Sequence, residues 1–188
     1  MAAEAVFAER GFQGATVQEI ADRAEFAVGS LYNLFPSKDA LYRELVELRL
    51  KQYIERVRRS IGESGAAMQK ARAVIAAKLW FFSQNERFLR IFSHMLAGEE
   101  AGSTSPSPRF IQMYRKYLDS LTGVFAQGIE EGVFRAGDPR LMALVVDGAT
   151  SAVIQHCLFS HQFRLEESVP EELERLLFEG LLAERDDK

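Results

Sequence analysis

The stretch TVQEIADRAEFAVGSLYNLFPSKDALY, residues 16–42, predicts two short helices and the beginning of a long third one. Thr16 and Glu19 have the spacing of a capping box, in which the hydroxyl accepts a hydrogen bond from a free amide of the first helical turn. Apolar residues then recur at helical spacing as far as Ala24. After an interruption, a second helix is expected from about Val28.

Proline ends the second short helix and separates it from the long one. Pro36 disfavours helical geometry at Phe35, so the second helix is expected to end near Leu34. Ser37 is a suitable N-cap for the long helix, which is expected to reach Ile61. Two short helices around a three-residue break have the form of a helix-turn-helix, whose second helix lies in the major groove of DNA.

The spacing of apolar residues predicts a small core between the two short helices. Its members are Ile20, Ala21, Phe26 and Leu31. The outer face of the second helix then carries small or neutral residues, which allow close approach to a groove and hydrogen bonds to phosphates or base edges. These are Gly29, Ser30, Tyr32 and Asn33.

The rest of the chain is also predicted to be helical. Apolar residues recur at intervals of three and four and almost never at two, which indicates an all-α protein of about nine helices. Ser107 and Asp138 each precede a proline, as N-caps before first-turn prolines do. Ser168 and Glu171 have the spacing of another capping box.

Composition limits the class of protein. The chain has 188 residues, of which 47% are hydrophobic, so it can bury a core, and its net charge of −4 argues against indiscriminate binding of nucleic acid. A single cysteine, Cys157, excludes an internal disulfide and fits a reducing cytoplasm. No stretch has the ~18 uninterrupted apolar residues of a membrane span, and no secretion signal opens the sequence.

The sequence offers no enzyme or metal motif. His156 lies beside Cys157 and five residues before His161, and neither spacing places two metal ligands on one face of a helix. No phosphate-binding loop or catalytic grouping is present, so we expect no enzymatic activity, no metal and no cofactor.

Residues 11–42 resemble the DNA-binding domain of TetR-family transcriptional regulators. The resemblance rests on a Gly-Phe and Thr-containing turn, the run IADRA, and the pattern GSLY followed by FPSK and a leucine. It covers about 32 residues, and the remainder agrees only in length, helical character and helix order.

The resemblance implies a fold and a function. It implies a helix-turn-helix DNA-binding domain of three helices over residues 1–45 and a helical ligand-binding and dimerisation domain over 46–188. The expected protein is a cytoplasmic homodimeric repressor of transcription that binds a palindromic operator in double-stranded DNA. A small hydrophobic or aromatic effector is expected to release it, and no membrane partner is expected.

The resemblance also implies which residues contact DNA. Ser30, Tyr32 and Lys38 fall where members of the family touch the DNA backbone, and Thr16 caps a helix whose amide end can meet a phosphate. The positions that face the groove or its edge are Val17, Gln18, Ala27, Val28, Gly29 and Asn33.

The sequence departs from the family pattern at three positions and in its charge balance, and the charge balance leaves an alternative open. Glu25 stands where the family often has a glycine, Val28 where a polar or basic residue is common, and Leu34 where histidine or tyrosine often appears. For Val28 and Leu34, two interpretations stay open, contact with a thymine methyl group and packing within the chain. Residues 1–45 hold four cations against seven anions and lack a basic arm. The alternative is a helical small-molecule-binding or scaffolding protein whose helix-turn-helix has lost DNA binding.

The remaining candidates lie in the second predicted domain. An apolar effector pocket is expected, although an aromatic stripe also suits ordinary core. Its predicted lining is Phe82, Phe92, Met95, Met113, Tyr117 and His156. Small residues on an apolar helix face permit close helix approach and favour a two-fold interface of four helices, with intramolecular packing as the alternative. The predicted interface residues are Leu144, Gly148, Ala149, Ala152, Leu173, Leu176, Leu177 and Leu181.

Overall fold

The computed structural model of the chain describes residues 1–62, 65–97, 107–159 and 168–180. Within these ranges the chain forms nine helices and no strand, which confirms the all-α prediction. The helices are α1 (Ala2–Gly14), α2 (Val17–Arg23), α3 (Val28–Leu34), α4 (Lys38–Ile61), α5 (Ala67–Gln84), α6 (Glu86–Ala97), α7 (Pro108–Glu130), α8 (Pro139–Phe159) and α9 (Val169–Phe178).

Most predicted caps are present. The Glu19 amide donates to Thr16 Oγ1 at 3.1 Å, and the Ala40 amide donates to Ser37 Oγ at 3.1 Å. Phe35 is extended before the proline, which ends α3 where the sequence predicted. The Phe110 amide donates to Ser107 Oγ at 3.0 Å in the same way.

The capping box predicted at Ser168 was wrong. Ser168 has helical backbone angles, φ −76° and ψ −22°, and its side chain makes no capping hydrogen bond. A capping serine needs an extended backbone to aim its hydroxyl at the first-turn amides. Pro170 in that first turn also lacks an amide proton, so one of the donors that a cap satisfies is missing.

The chain divides into two compact units. Unit 1 comprises Met1–Arg56 and Gln84–Tyr117, and unit 2 comprises Val57–Ser83 and Leu118–Lys188. Helices α4 and α7 each contribute residues to both units. The functional division into residues 1–45 and 46–188 stays a prediction, since it concerns roles rather than packing.

Unit 1 is built around aromatic rings from α1 and α4. Tyr42 meets the rings of Phe7 and Phe12 edge-on, each with a centroid distance of 5.1 Å, and its hydroxyl donates to the Ile91 carbonyl of α6. The buried Glu4 carboxylate of α1 accepts a hydrogen bond from Arg49 of α4. Arg49 is therefore a structural partner of α1.

Unit 2 contains a buried ion pair between α5 and α8. Lys78 Nζ donates to Asp147 Oδ1 at 2.5 Å, to the Asp147 carbonyl at 2.8 Å and to Ser151 Oγ at 2.7 Å. Burial lowers the pKa of the Lys78 ammonium, and the Asp147 carboxylate opposes that shift. All three donors of the ammonium are satisfied, so the buried charge is tolerated.

Helix α8 is long and apolar enough to cross a membrane by length and composition, with a mean hydropathy of 1.5 over Pro139–Leu158. Ala143, Val146, Thr150 and Ile154 are nevertheless buried within unit 2. One face of α8 therefore belongs to the core of unit 2, while other apolar residues of the helix are exposed.

A close contact in unit 2 requires glycine at position 128. The Val133 and Phe134 amides both donate to the Gly128 carbonyl, and the Phe134 ring folds back over α7 against Phe125 and Phe178. A Cβ at Gly128 would lie 2.1 Å from Phe134 Cδ2. Any side chain at this position would displace the ring.

We expect Gly128→Ala to destabilise the chain by about 1–3 kcal/mol, since overpacking must push Phe134 from its site. Gly123→Ala is the matched control, because Gly123 lies in the same helix and a Cβ added there would meet no atom within 4 Å. The control is expected to gain up to about 1 kcal/mol from helix propensity. Urea unfolding followed by circular dichroism compares the two variants, and equal stabilities would contradict the packing described here.

Candidate functional site

The core between α2 and α3 contains three of the four predicted residues. Ile20, Ala21 and Leu31 are buried, but Phe26 is 49% exposed, so its assignment to the core was wrong. The cause lies in the turn, where Glu25 adopts a left-handed conformation at φ 53° and the Phe26 amide donates to the Ala21 carbonyl. The chain reverses there and leaves half of the Phe26 side chain at the surface.

The backbone conformation at Glu25 explains why the family pattern often has glycine at this position. A left-handed conformation favours glycine because it has no Cβ, and other residues adopt it at some cost. Glu25 thus differs from the glycine of the family pattern but keeps the same kind of turn. This turn is the element that sets α3 against α2.

The outer face of α3 is open. Tyr32 is 51% exposed and Leu34 is 64% exposed, while a Cβ added at Gly29 would meet no atom within 4 Å. None of the ten predicted DNA-contacting residues is buried. Exposed are Thr16, Gln18, Ala27, Gly29, Tyr32 and Asn33, and partly exposed are Val17, Val28, Ser30 and Lys38.

Lys38 joins the beginning of α4 to the end of α1. Its Nζ donates to the Ala15 carbonyl at 2.9 Å and to the Gln13 carbonyl at 3.3 Å, and it lies 4.7 Å from the centroid of the Phe12 ring. The carbonyls at a helix C-terminus lack partners within the helix and favour a cation. Two of the three ammonium hydrogens are thus used inside the chain.

Sequence reasoning missed this role. The two carbonyl acceptors precede Lys38 by 23 and 25 residues, and no local pattern reports such a contact. Lys38 was assigned to a DNA phosphate on the resemblance alone. Its remaining hydrogen still allows one phosphate contact, so that assignment stays a prediction.

The other three cations of residues 1–45 also have carboxylate partners. Arg23 Nη2 lies 2.7 Å from Glu9 Oε2 and 3.0 Å from Glu19 Oε1, and Arg10 Nε lies 3.7 Å from the same Glu19 oxygen. The hydrogen bond from Arg23 lowers the pKa of Glu9. The fourth cation, Arg43, pairs with Asp39 at 2.9 Å. A DNA phosphate would have to compete with these partners.

The predicted effector residues belong to two different units. In unit 1, the Phe92 ring lies 6.3 Å from Phe110 and the buried Tyr117 ring lies 5.6 Å from Tyr53. Met113, partly exposed, is also in unit 1. In unit 2, Phe82 is buried and His156 is exposed. The side chain of Met95 lies outside the described part of the chain.

The predicted dimer residues lie in unit 2 and differ in exposure. Leu173 is buried within its own unit, so its side chain belongs to the core of the single chain. Leu181 lies outside the described residues. Exposed are Leu144, Gly148, Ala152 and Leu176, and partly exposed are Ala149 and Leu177.

Two further residues extend the exposed apolar face of α8. Leu141 is 59% exposed and Val145 is 54% exposed, and sequence reasoning did not select them. Leu141 lies three residues before Leu144 and four before Val145, and Val145 lies three before Gly148, a spacing that places these residues on one side of the helix. The helical period of exposed apolar residues was the signal that could have found them.

Comparison with known proteins agrees with this geometry. Residues 1–45 match the family model described as bacterial regulatory proteins, tetR family. The transcriptional repressor KstR2 of Mycobacterium tuberculosis is 31% identical over 140 residues, which cover 71% of this chain and 66% of the repressor. The fatty acid metabolism regulator protein of Bacillus subtilis is 25% identical over 162 residues, 86% of this chain and 82% of the regulator.

A solved structure shares the whole fold. The transcriptional regulator FadR from Bacillus subtilis, in complex with stearoyl-CoA, superposes with a TM-score of 0.82 at 24% identity and covers 96% of each chain. An N-terminal helix-turn-helix with an open second helix, inside an all-helical chain, defines a DNA-binding regulator of transcription. With these matches, residues 1–45 form a DNA-binding domain of the TetR family, and the chain as a whole is similar to TetR-family regulators.

We expect Lys38→Ala to destabilise the chain by about 1–3 kcal/mol, because it removes two charge-assisted hydrogen bonds and a cation–π contact. Lys51→Ala is the matched control, since Lys51 is an exposed lysine of the same helix with only a 3.9 Å ion pair to Glu55. Urea unfolding compares the two variants. If Lys38→Ala unfolds at the same urea concentration as Lys51→Ala, Lys38 does not anchor α1.

Proposed function

We propose that the chain is a homodimeric repressor that binds a palindromic DNA operator through α3 and is released by an effector with an apolar tail. The observation that carries the proposal is the open outer face of α3 on a helix-turn-helix whose core, Ile20, Ala21 and Leu31, is buried. A helix held in this way is rigid and presents its side chains to a major groove.

The predicted DNA contacts divide into two kinds. Ser30 and Tyr32 carry hydroxyl groups that bind phosphates and fix the register, while the first turn of α3 faces base edges. The remaining ammonium hydrogen of Lys38 adds one phosphate contact next to them. Two such surfaces in a two-fold dimer would read half-sites about 34–36 Å apart, or a multiple of that distance.

The exposed face of α8 supports the dimer. Leu141, Leu144 and Val145 are large apolar residues at the surface, and Gly148 lets another helix approach closely. Leu176 of α9 is exposed as well. Burial of these residues against a second copy removes apolar area from water, as obligate interfaces do.

The class of effector follows from the similar proteins. A similar sequence is named for the regulation of fatty acid metabolism, and a similar solved structure contains stearoyl-CoA. We propose an acyl-CoA thioester, whose acyl chain is hydrophobic as the aromatic candidates require. An effector that binds one state of the dimer better than the DNA-bound state shifts the population away from the operator.

A scaffolding or small-molecule-binding role without DNA is the second candidate. The observation that favours it is that all four cations of residues 1–45 have partners inside the chain. Phosphate contacts supply much of the affinity of DNA-binding proteins. A domain whose cations already have partners therefore depends more on other contacts if it binds DNA.

Selection of bound fragments from a pool of genomic DNA tests the proposal. The wild-type chain is expected to enrich a palindromic sequence, and Tyr32→Ala is expected to weaken binding to it by about tenfold or more through lost phosphate contact. Tyr114→Ala is the matched control, since Tyr114 is an exposed tyrosine of α7. Stearoyl-CoA is then expected to release the fragment, whereas free coenzyme A is not.

Enrichment of no sequence above the background would overturn the repressor proposal in favour of the scaffolding role. Release by no acyl-CoA of any chain length would reject the effector class and leave the DNA-binding proposal in place. Equal losses in Tyr32→Ala and Tyr114→Ala would show that the α3 surface is not the contact.

A further inference from the structure

The recognition helix has no residue that reads guanine in the usual way. Residues 24–37, AEFAVGSLYNLFPS, contain neither lysine nor arginine. The commonest specific contact in the major groove is an arginine or lysine donating to O6 and N7 of guanine. That contact is unavailable from α3, so base recognition by this helix needs other chemistry.

The three residues at the beginning of α3, before Ser30, carry no polar side chain. The N-terminal residues of a recognition helix are those that contact base edges. Here they are Ala27, which is exposed, Val28, which is partly exposed, and Gly29, around which there is open space. None of their side chains donates or accepts a hydrogen bond.

Val28 is only partly buried and is not among the fully buried residues of the domain. The space between α2 and α3 is filled by Ile20, Ala21 and Leu31, all of them buried. Val28 retains surface that the chain itself does not cover. The isopropyl group thus stands at the position of base contact with apolar area still to bury.

We propose that Val28, with Ala27 beside it, reads thymine C5-methyl groups in the major groove of each operator half-site. The methyl group of thymine is the apolar feature that distinguishes base edges in this groove. The inference rests on the proposed DNA-binding function and assigns it a base specificity. It also answers the open question of Val28 in favour of DNA contact.

The experiment uses the full-length chain and the operator that it selects. Each thymine of the half-site is replaced, one position at a time and in both half-sites together, by deoxyuridine, which lacks only the methyl group. Affinity is measured by fluorescence anisotropy at fixed salt. At one or two positions the affinity of the wild type is expected to fall about tenfold. Each methyl group removed contributes about three- to fourfold, and one is removed in each half-site.

Variants of position 28 assign that loss to its contact. In Val28→Ala the penalty for deoxyuridine at the same position is expected to fall below about twofold, since the protein's half of the contact is already gone. Val28→Thr keeps the shape of the side chain and one methyl group, so this variant is expected to retain part of the deoxyuridine penalty. Val133→Ala, an exposed valine of unit 2, is the control and should show the wild-type penalty.

Three results would overturn the inference: no thymine in the half-site is sensitive to deoxyuridine, the sensitive thymine is equally sensitive in Val28→Ala, or the selected half-site lacks thymine. Each leaves operator binding itself intact. Failure of the wild type to select any operator is a different result, seen before any base is replaced, and it counts against the proposed function.

Discussion

The contact between the Lys38 ammonium and the end of α1 holds the DNA-binding region together. Lys38 is the first residue of α4, and its two carbonyl acceptors are in the last turn of α1 and just beyond it. Helices α2 and α3 are the chain between these two points. By fixing both ends of that segment, a single side chain limits where the helix-turn-helix can lie relative to α1 and α4.

The same use of a cation within the chain recurs at the other cations of residues 1–45. Lys38, Arg23, Arg10 and Arg43 are all used to join helices or to pair along one helix. A domain that uses its cations for folding has fewer to offer to phosphates. In the proposed function, recognition relies on close approach of a helix with small neutral side chains, and α3 has open space around Gly29.

Local features of the structure were predictable from the sequence because their causes are local. Thr16 and Ser37 cap helices through amides only three residues away, and Pro36 ends α3 through a clash with its neighbour. The prediction that Phe26 is buried was wrong because its exposure depends on the left-handed turn at Glu25, which the spacing of apolar residues does not report. The spacing could identify a helix-turn-helix but could not say which of its apolar residues faces outward.

Contacts between residues far apart in the sequence could not be predicted, for a different reason. Lys78 and Asp147 are 69 residues apart, and a lysine within an apolar helical pattern reads as surface until its partner is placed. The family resemblance supplied the recognition surface but assigned Lys38 only to DNA. Its structural role appears once Gln13 and Ala15 are positioned beside it.

The salt dependence of operator affinity tests most directly whether the cations of this domain serve the fold before they serve DNA. If they do, the slope of log K against log salt concentration for the dimer will be shallower than about −4, which corresponds to about four phosphate contacts. A slope of about −7 or steeper would mean that many cations reach phosphates. That result would contradict the account, because the ion pairs of Arg23, Arg10 and Arg43 would then have to open on the DNA.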